Sequence, residues 1–417
     1  RRCFDRLAFK KTCPFEFTRH GRPSAGTETR PAFLPSEVSQ GEFQKGKYRF
    51  SGERLKPKPI GQLTSGRESA TQTDWAVQTN AVIIRTSALQ LNYSNSFQEN
   101  FALGIRVLVL GAQGQLGHTI GQHAKPALME TMDACISYGR DKADLAKPDT
   151  LINALKDVRP DVVINAAAYT NVEKAETEPE LAHAINAKAV GILAEQCKKQ
   201  GVALVHYSTD YVFDGKANQP YTETDTTNPL SAYGKSKLEG ERYLKEVGGN
   251  WVVFRTSWVY GQRGNNFCRT MIKLAQERDS LKVVDDQTGA PTPANWLAEL
   301  GLTVAGVVAM QRYKTTGKLA PTFLPDFPSE IPSGEIFHAS AAGVTTWFDY
   351  ACLAIEHAHK QGIVQRMPNI ERVKTDSMNF AAQRPAYSVL NNQKLMDTFR
   401  VNPPEWTKGV RNFMLNY

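Results

Sequence analysis

Gly111, Gly114 and Gly117 stand three residues apart, directly after an apolar run and directly before a helical pattern. No other stretch restricts the chain so far. The run RVLVL (106–110) lacks the polar alternation of a half-exposed strand and reads as a buried parallel strand. In such a turn the first glycine permits a sharp bend, the second lets a pyrophosphate reach the backbone, and the third lets helix and strand pack closely. A helix opening near Leu116 then offers unpaired N–H groups and partial positive charge to phosphates. The expected dinucleotide loop comprises Gly111, Gln113, Gly114, Gln115, Leu116 and Gly117. Glycines alone would make only a tight turn, and the flanking strand and helix carry the assignment.

The rest of the chain bears out that start by alternation. Strands are expected at 134–138, 161–165, 203–207 and 251–254, with helices at 116–123, 148–158 and 178–199 between them. This order predicts an α/β fold, a Rossmann-type doubly wound parallel sheet. After about Asn265 the spacing changes. Helices at 267–276, 294–310 and 346–359 and strands at 281–284 and 336–338 suggest a smaller C-terminal α/β substrate domain. The expected division is a nicotinamide-dinucleotide domain over 105–265 and a mostly substrate-binding domain over 266–417. Residues 311–335, rich in Pro, Thr and Gly, read as a loop.

The first 104 residues differ in kind. They show no sustained hydrophobic period, and disorder or a non-native extension is the expectation for them. They hold 16 Lys and Arg against 9 Asp and Glu, so they carry +7 of the net charge of +8. The basic excess therefore does not mark the folded part as a nucleic-acid binder. No stretch is long and apolar enough for a membrane span. Six scattered cysteines without a C-x-x-C pair argue against a disulfide framework or zinc site, so a reducing cytoplasm is expected.

An acidic residue at the end of the second strand would grip an adenosine ribose and favour NAD. Arg140 stands there instead and could face a 2′-phosphate, which leans towards NADPH, with NADH as the alternative. A solvated surface arginine is the plainer reading of the same residue. Asp144 and Leu145 are expected beside the adenine. Ala166, Ala167, Ala168 and Tyr169 offer small side chains where the cofactor backbone must pass.

Tyr233 and Lys237 lie four apart, on one face of an expected helix. A phenol titrates near 10, too high to exchange protons well at neutral pH, and a neighbouring ammonium would lower that value. Thr209 (or Ser208) ends a strand whose carboxyl end should face the ligand. A hydroxyl there can donate to a carbonyl oxygen that gains charge as hydride arrives.

Taken together, VLVLGAQGQLG, VHYSTDYVFDG, SAYGKSKLEGE, FRTSWVYG, VVDDQTGAPTPA and QRPAYSVLNNQKL resemble the dTDP-4-dehydrorhamnose reductase family of extended short-chain dehydrogenases/reductases. The resemblance covers nearly all of 105–417 and none of 1–104. It implies reduction of the C4 keto group of dTDP-4-dehydro-β-L-rhamnose with NADPH. It further implies Thr209, Tyr233 and Lys237 as catalytic residues, with Tyr233 and Lys237 also holding the cofactor. Asp210, Tyr211 and Trp258 would lie near the substrate, and Arg384 would contact its pyrophosphate. Some members use a magnesium ion at a dimer interface. A homodimer is thus one expectation, but no ligand spacing places a metal here. Two alternatives share the fold: an enzyme for another nucleotide sugar, and a non-catalytic NADP-binding regulatory subunit of the methionine adenosyltransferase type.

Overall fold

The computed structural model describes residues 104–127, 134–315 and 331–417. The expectation for the N-terminal extension, and most of that for the 311–335 loop, lie outside these residues. The strands β1 (Arg106–Leu110), β2 (Ala134–Tyr138), β3 (Val162–Asn165), β4 (Ala203–Thr209) and β5 (Trp251–Thr256) form one parallel sheet with a sixth strand, Glu335–His338. The spatial order is Glu335–His338, β5, β4, β3, β1, β2.

Strand pleating sorts the core. Val107 and Val109 of β1 point to one face, which the helices Gln115–Ala127 and Ala294–Thr315 cover. Leu108 and Leu110 point to the other, under Pro148–Val158, Ala189–Gln200 and Ala232–Val247. All four β1 side chains are 0–1% exposed, and each contributes about 1.5–3 kcal/mol of burial. The chain after residue 265 is not confined to a separate layer. Ala294–Thr315 and Glu335–His338 rejoin the sheet.

A smaller core forms from Phe267–Glu277, Trp347–Lys360 and Trp406–Leu415 around Cys268, Ile272, Ile355 and Val410. Its two-stranded parallel sheet pairs Ser280–Val284 with Asn369–Val373. The second of these strands was not expected, because NIERV is mostly exposed and carries little apolar signal.

Two boundaries depart from the sequence reading. The helix begun at Ala294 runs to Thr315, five residues into the expected loop. The long helix expected over 178–199 is broken in phase: Pro179–His183 is α, Ala184–Lys188 is a π turn, and Ala189–Gln200 is α again. Within the π turn Asn186 is buried. Its amide accepts from Tyr169 N at 2.8 Å and donates to Tyr169 O and Ser236 Oγ, both at 3.0 Å. Those three bonds explain why the irregular turn persists.

Candidate active site

The sheet order reverses beside β1, between β2 on one side and β3 on the other, and ligands of open α/β sheets bind at that crevice. The glycine loop sits there. Gly111 has φ +89°, and a Cβ on it would lie 2.8 Å from Ala167 N at the end of β3. A Cβ on Gly117 would lie 2.2 Å from Gly111 O, so helix and loop touch through backbone. At Gly114 the nearest atom to such a Cβ is Gly111 O at 3.4 Å, which leaves the outer side of the loop open. The helix Gln115–Ala127 begins immediately after it, with first-turn N–H groups that have no intrahelical acceptor. Glycines closed inward and open outward fit a dinucleotide pyrophosphate.

The other expected cofactor residues are placed as follows. Gln113 Oε1 accepts from Arg140 N at 3.3 Å, tying the loop to the end of β2, while Arg140 itself is exposed. Asp144 turns Oδ1 onto Ala146 N at 3.0 Å, and Leu145 is buried beneath it. Ala166, Ala167 and Ala168 are half-buried beside the loop. Tyr169 donates its hydroxyl to Glu178 Oε2 at 2.8 Å. Gln115 Oε1 accepts from Asn266 Nδ2 at 3.0 Å, so the chain after β5 is fastened to the loop.

Ser231 caps the helix Ala232–Val247 by accepting from Gly234 N at 3.1 Å, and Glu176 Oε1 accepts from Ala232 N at 2.8 Å. Tyr233 therefore enters on a fixed first turn. A Cβ on Gly234 would lie 2.3 Å from Tyr211 O, so only glycine lets this helix approach the end of β4. The Tyr233 and Tyr211 rings meet edge to face at 5.9 Å. Thr209 donates to Asp210 Oδ1 at 3.0 Å and accepts from Tyr211 N at 3.2 Å.

The electrostatics are those of a dry site. Burial pushes the Tyr233 phenol up to about 12; the nearby Thr209 hydroxyl opposes this and the charge of Asp210 adds to it. Asp210 is itself raised to about 7 by burial, against bonds from Ser388 and Thr209. Burial lowers Lys237 to about 8, and the charge of Glu241 opposes that shift. One expectation needs correction. Lys237 does not direct its nitrogen at the Tyr233 phenol. Nζ donates to Tyr207 O at 2.6 Å and lies 3.3 Å from His206 Nε2, because β4 presents these groups to the buried lysine.

Of the residues expected near the substrate, Trp258 holds a left-handed backbone, φ +46°, unusual for a bulky residue. One face of its ring stacks on Trp347 at 3.6 Å. Arg384, expected to contact a pyrophosphate, is partly engaged within the chain. Its Nη2 donates to Glu173 Oε1 at 2.6 Å and its guanidinium lies over the Phe380 ring, while Nε is buried without a partner. Glu173 Oε2 also accepts from Ala381 N at 2.7 Å, so it holds the segment leading into Arg384. Sequence reasoning missed Glu173, Glu241, His206 and Trp347. His206 carried a signal, as a polar residue in a strand otherwise fit for full burial. Among the described residues, no three His, Cys, Asp or Glu side chains gather as a metal site, and no helix is long and apolar enough to cross a membrane.

A doubly wound sheet, a glycine turn at its switch point and a Tyr-x-x-x-Lys helix against the next strand end define a short-chain dehydrogenase/reductase of the extended type. Residues 105–417 match the family described as the RmlD substrate binding domain. The chain is 41% identical over 308 residues to a dTDP-4-dehydrorhamnose reductase of Burkholderia thailandensis, covering 73% of this chain and 97% of that protein. It is 38% identical over 314 residues to the Escherichia coli K12 dTDP-4-dehydrorhamnose reductase, covering 75% and 97%. A solved dTDP-4-dehydrorhamnose reductase from Bacillus anthracis, in complex with NADP, superposes with a TM-score of 0.63 at 31% identity, over 76% of this chain and all of that one. The chain belongs to the dTDP-4-dehydrorhamnose reductase family.

Proposed function

We propose that this protein reduces the C4 keto group of dTDP-4-dehydro-β-L-rhamnose with NADPH, giving dTDP-β-L-rhamnose. The carrying observation is that the helix bearing Tyr233 and the buried Lys237 packs against Thr209–Tyr211 at the carboxyl end of β4, on the same end of the sheet as the glycine loop. We assign nucleotide binding to residues 105–265 and most sugar contacts to 266–417. Arg140, exposed at the end of β2 and tied to Gln113, is our choice for the 2′-phosphate, which NADPH has and NADH lacks. Free cysteines such as Cys197 and Cys268 suit a reducing cytoplasm, where we place the reaction.

Bound NADPH supplies a hydride to the sugar C4. Tyr233 donates its proton to the O4 oxygen, so a ketone becomes an alcohol. Thr209 turns its hydroxyl from Asp210 to the same oxygen and stabilises the charge that gathers there. Lys237, anchored on Tyr207 O, would hold the nicotinamide ribose of the bound cofactor. The Trp258–Trp347 stack supplies an apolar wall for the deoxysugar.

The test is NADPH oxidation by the full chain in the presence of freshly made keto-sugar nucleotide, with the product identified as the reduced sugar. Bound NADPH without oxidation would overturn the reductase reading in favour of a non-catalytic one. Faster oxidation with another keto-sugar nucleotide would overturn the substrate.

A further inference from the structure

Asn165, His206 and Lys237 form a buried polar chain that the reduction as described above leaves unused in part. The three side chains are 1%, 0% and 2% exposed. Ala167 N donates to Asn165 Oδ1 at 3.2 Å, which fixes the amide with its NH2 group outward. That NH2 lies 3.1 Å from His206 Nδ1. His206 Nε2 lies 3.3 Å from Lys237 Nζ, and Nζ donates to Tyr207 O at 2.6 Å.

Donor counting restricts this chain. A neutral imidazole has one N–H and one acceptor nitrogen, and an ammonium has only donors. Since Nδ1 faces an NH2 group, Nδ1 must accept and the hydrogen must sit on Nε2. If Lys237 were charged, two donors would then face each other across 3.3 Å. Moving the hydrogen to Nδ1 only transfers the conflict to Asn165, and rotating Asn165 transfers it to Ala167. A charged His206 would add a second donor and a second buried charge. One arrangement satisfies every contact: Ala167 to Asn165, Asn165 to His206, His206 to Lys237, and Lys237 to Tyr207, each donating in the same direction.

We propose that His206, held by Asn165 with its hydrogen on Nε2, is a positioning residue that keeps Lys237 a neutral amine in the cofactor-free protein. The second amine hydrogen stays free for the cofactor, and the site waits without a buried charge. One neighbouring charge opposes this, the Glu241 carboxylate, which favours the ammonium but is itself paired with Arg255. Tyr233 and Glu241 share the lysine's helix, and His206 faces it from β4. Asn165 of β3 is uncharged. Arg255 of β5 reaches Lys237 only through Glu241, whose carboxylate it holds at 3.0 and 2.7 Å. Burial, the larger cause, holds His206 well below the usual histidine range, so it remains neutral.

This inference rests on Lys237 belonging to the site, but its readout is independent of turnover. The experiment is NMR of the full chain without cofactor, with labelled histidine ring nitrogens and lysine Cε. Burial against the opposing charge of Glu241 brings Lys237 only to about 8, so the expected result is His206 in the Nε2–H form and, with the His206 bond added, a Lys237 already uncharged at neutral pH. His206→Gln, which assigns the signal, offers Lys237 a carbonyl oxygen in place of an N–H. The lysine should then titrate at least about one unit higher, a tenfold change in proton affinity. An Nδ1–H form of His206, or a Lys237 titration unmoved by His206→Gln, would overturn the proposal. Should that variant not fold, Asn165→Ala assigns His206 and frees Nδ1 to carry the hydrogen. The lysine should again titrate higher, and no change would count against the proposal.

Discussion

Glu241 and Arg255 are 1% and 2% exposed and joined by two bonds of 3.0 and 2.7 Å, with Ser208 Oγ donating to Glu241 Oε1 at 2.5 Å. Ser208 immediately precedes Thr209, and Glu241 lies one turn beyond Lys237, so the pair joins the strand and helix that carry the site. Glu241→Gln keeps the volume and one acceptor oxygen but removes the charge, leaving the Arg255 guanidinium buried and uncompensated. Breaking a buried pair costs about 3–5 kcal/mol. The retained acceptor puts this variant at the low end, about 3 kcal/mol, which corresponds to a Tm lower by about 6 °C. Replacing both residues with leucine removes both charges together, so the double variant should lose much less than the sum of Glu241→Leu and Arg255→Leu. Thermal and urea unfolding of the full chain, followed by circular dichroism, measures all four. A loss below about 1 kcal/mol for Glu241→Gln, or strict additivity in the double variant, would refute the reasoning.

Three further outcomes follow from the site. Tyr233→Phe removes the proton donor and should lower kcat by about 10²–10⁴-fold while NADPH still binds in fluorescence titration; undiminished turnover would remove Tyr233 from its role. Asp210, raised to about 7, is largely neutral below that pH and ionised above it. Its carboxylate form holds the Thr209 hydrogen and disfavours loss of the Tyr233 proton, so kcat/KM should fall as pH rises through about 7. Asp210→Asn should abolish that fall, and an unchanged profile would contradict this origin. Gly117→Ala would place a Cβ 2.2 Å from the Gly111 carbonyl oxygen, a backbone atom that cannot turn aside. NADPH binding should weaken at least tenfold, about 1.4 kcal/mol, by calorimetry, and an unaltered Kd would show that the loop can shift freely.

What the sequence disclosed was mostly local. Gly111, Gly114 and Gly117 could be read because turn, approach and packing all lie within seven residues. Tyr233 and Lys237 could be read because a helix places residues four apart on one face. The β1 run was legible because both faces of the sheet are covered, so no polar alternation interrupts it. Contacts between distant segments were not legible. Glu173 and Arg384 are 211 residues apart, and nothing in either segment announces that the arginine's partner is a carboxylate of this chain. The Trp258–Trp347 stack depends on how the smaller core lies against the strand ends. Lys237 was assigned to the right helix face, but its nitrogen turned to Tyr207 and His206. Helical spacing fixes where a side chain starts and not which buried acceptor its tip will find.

The π turn at Ala184–Lys188 is one residue too many for a continuous α-helix. Each residue advances an α-helix by about 100°, so the surplus resets the angular phase between Pro179–His183 and Ala189–Gln200. Upstream of the reset the helix packs on Ala232–Val247, with Glu178 at its start accepting from the Tyr169 hydroxyl; downstream, Val190, Leu193, Ala194 and Cys197 address the sheet. Deleting a single residue here would restore regular winding, and one of the two faces would then turn away from its target. The irregularity therefore works as a register mark: the αL cap at Gly201 fixes the far end of the helix against β4, and the π turn fixes its interior length to the residue.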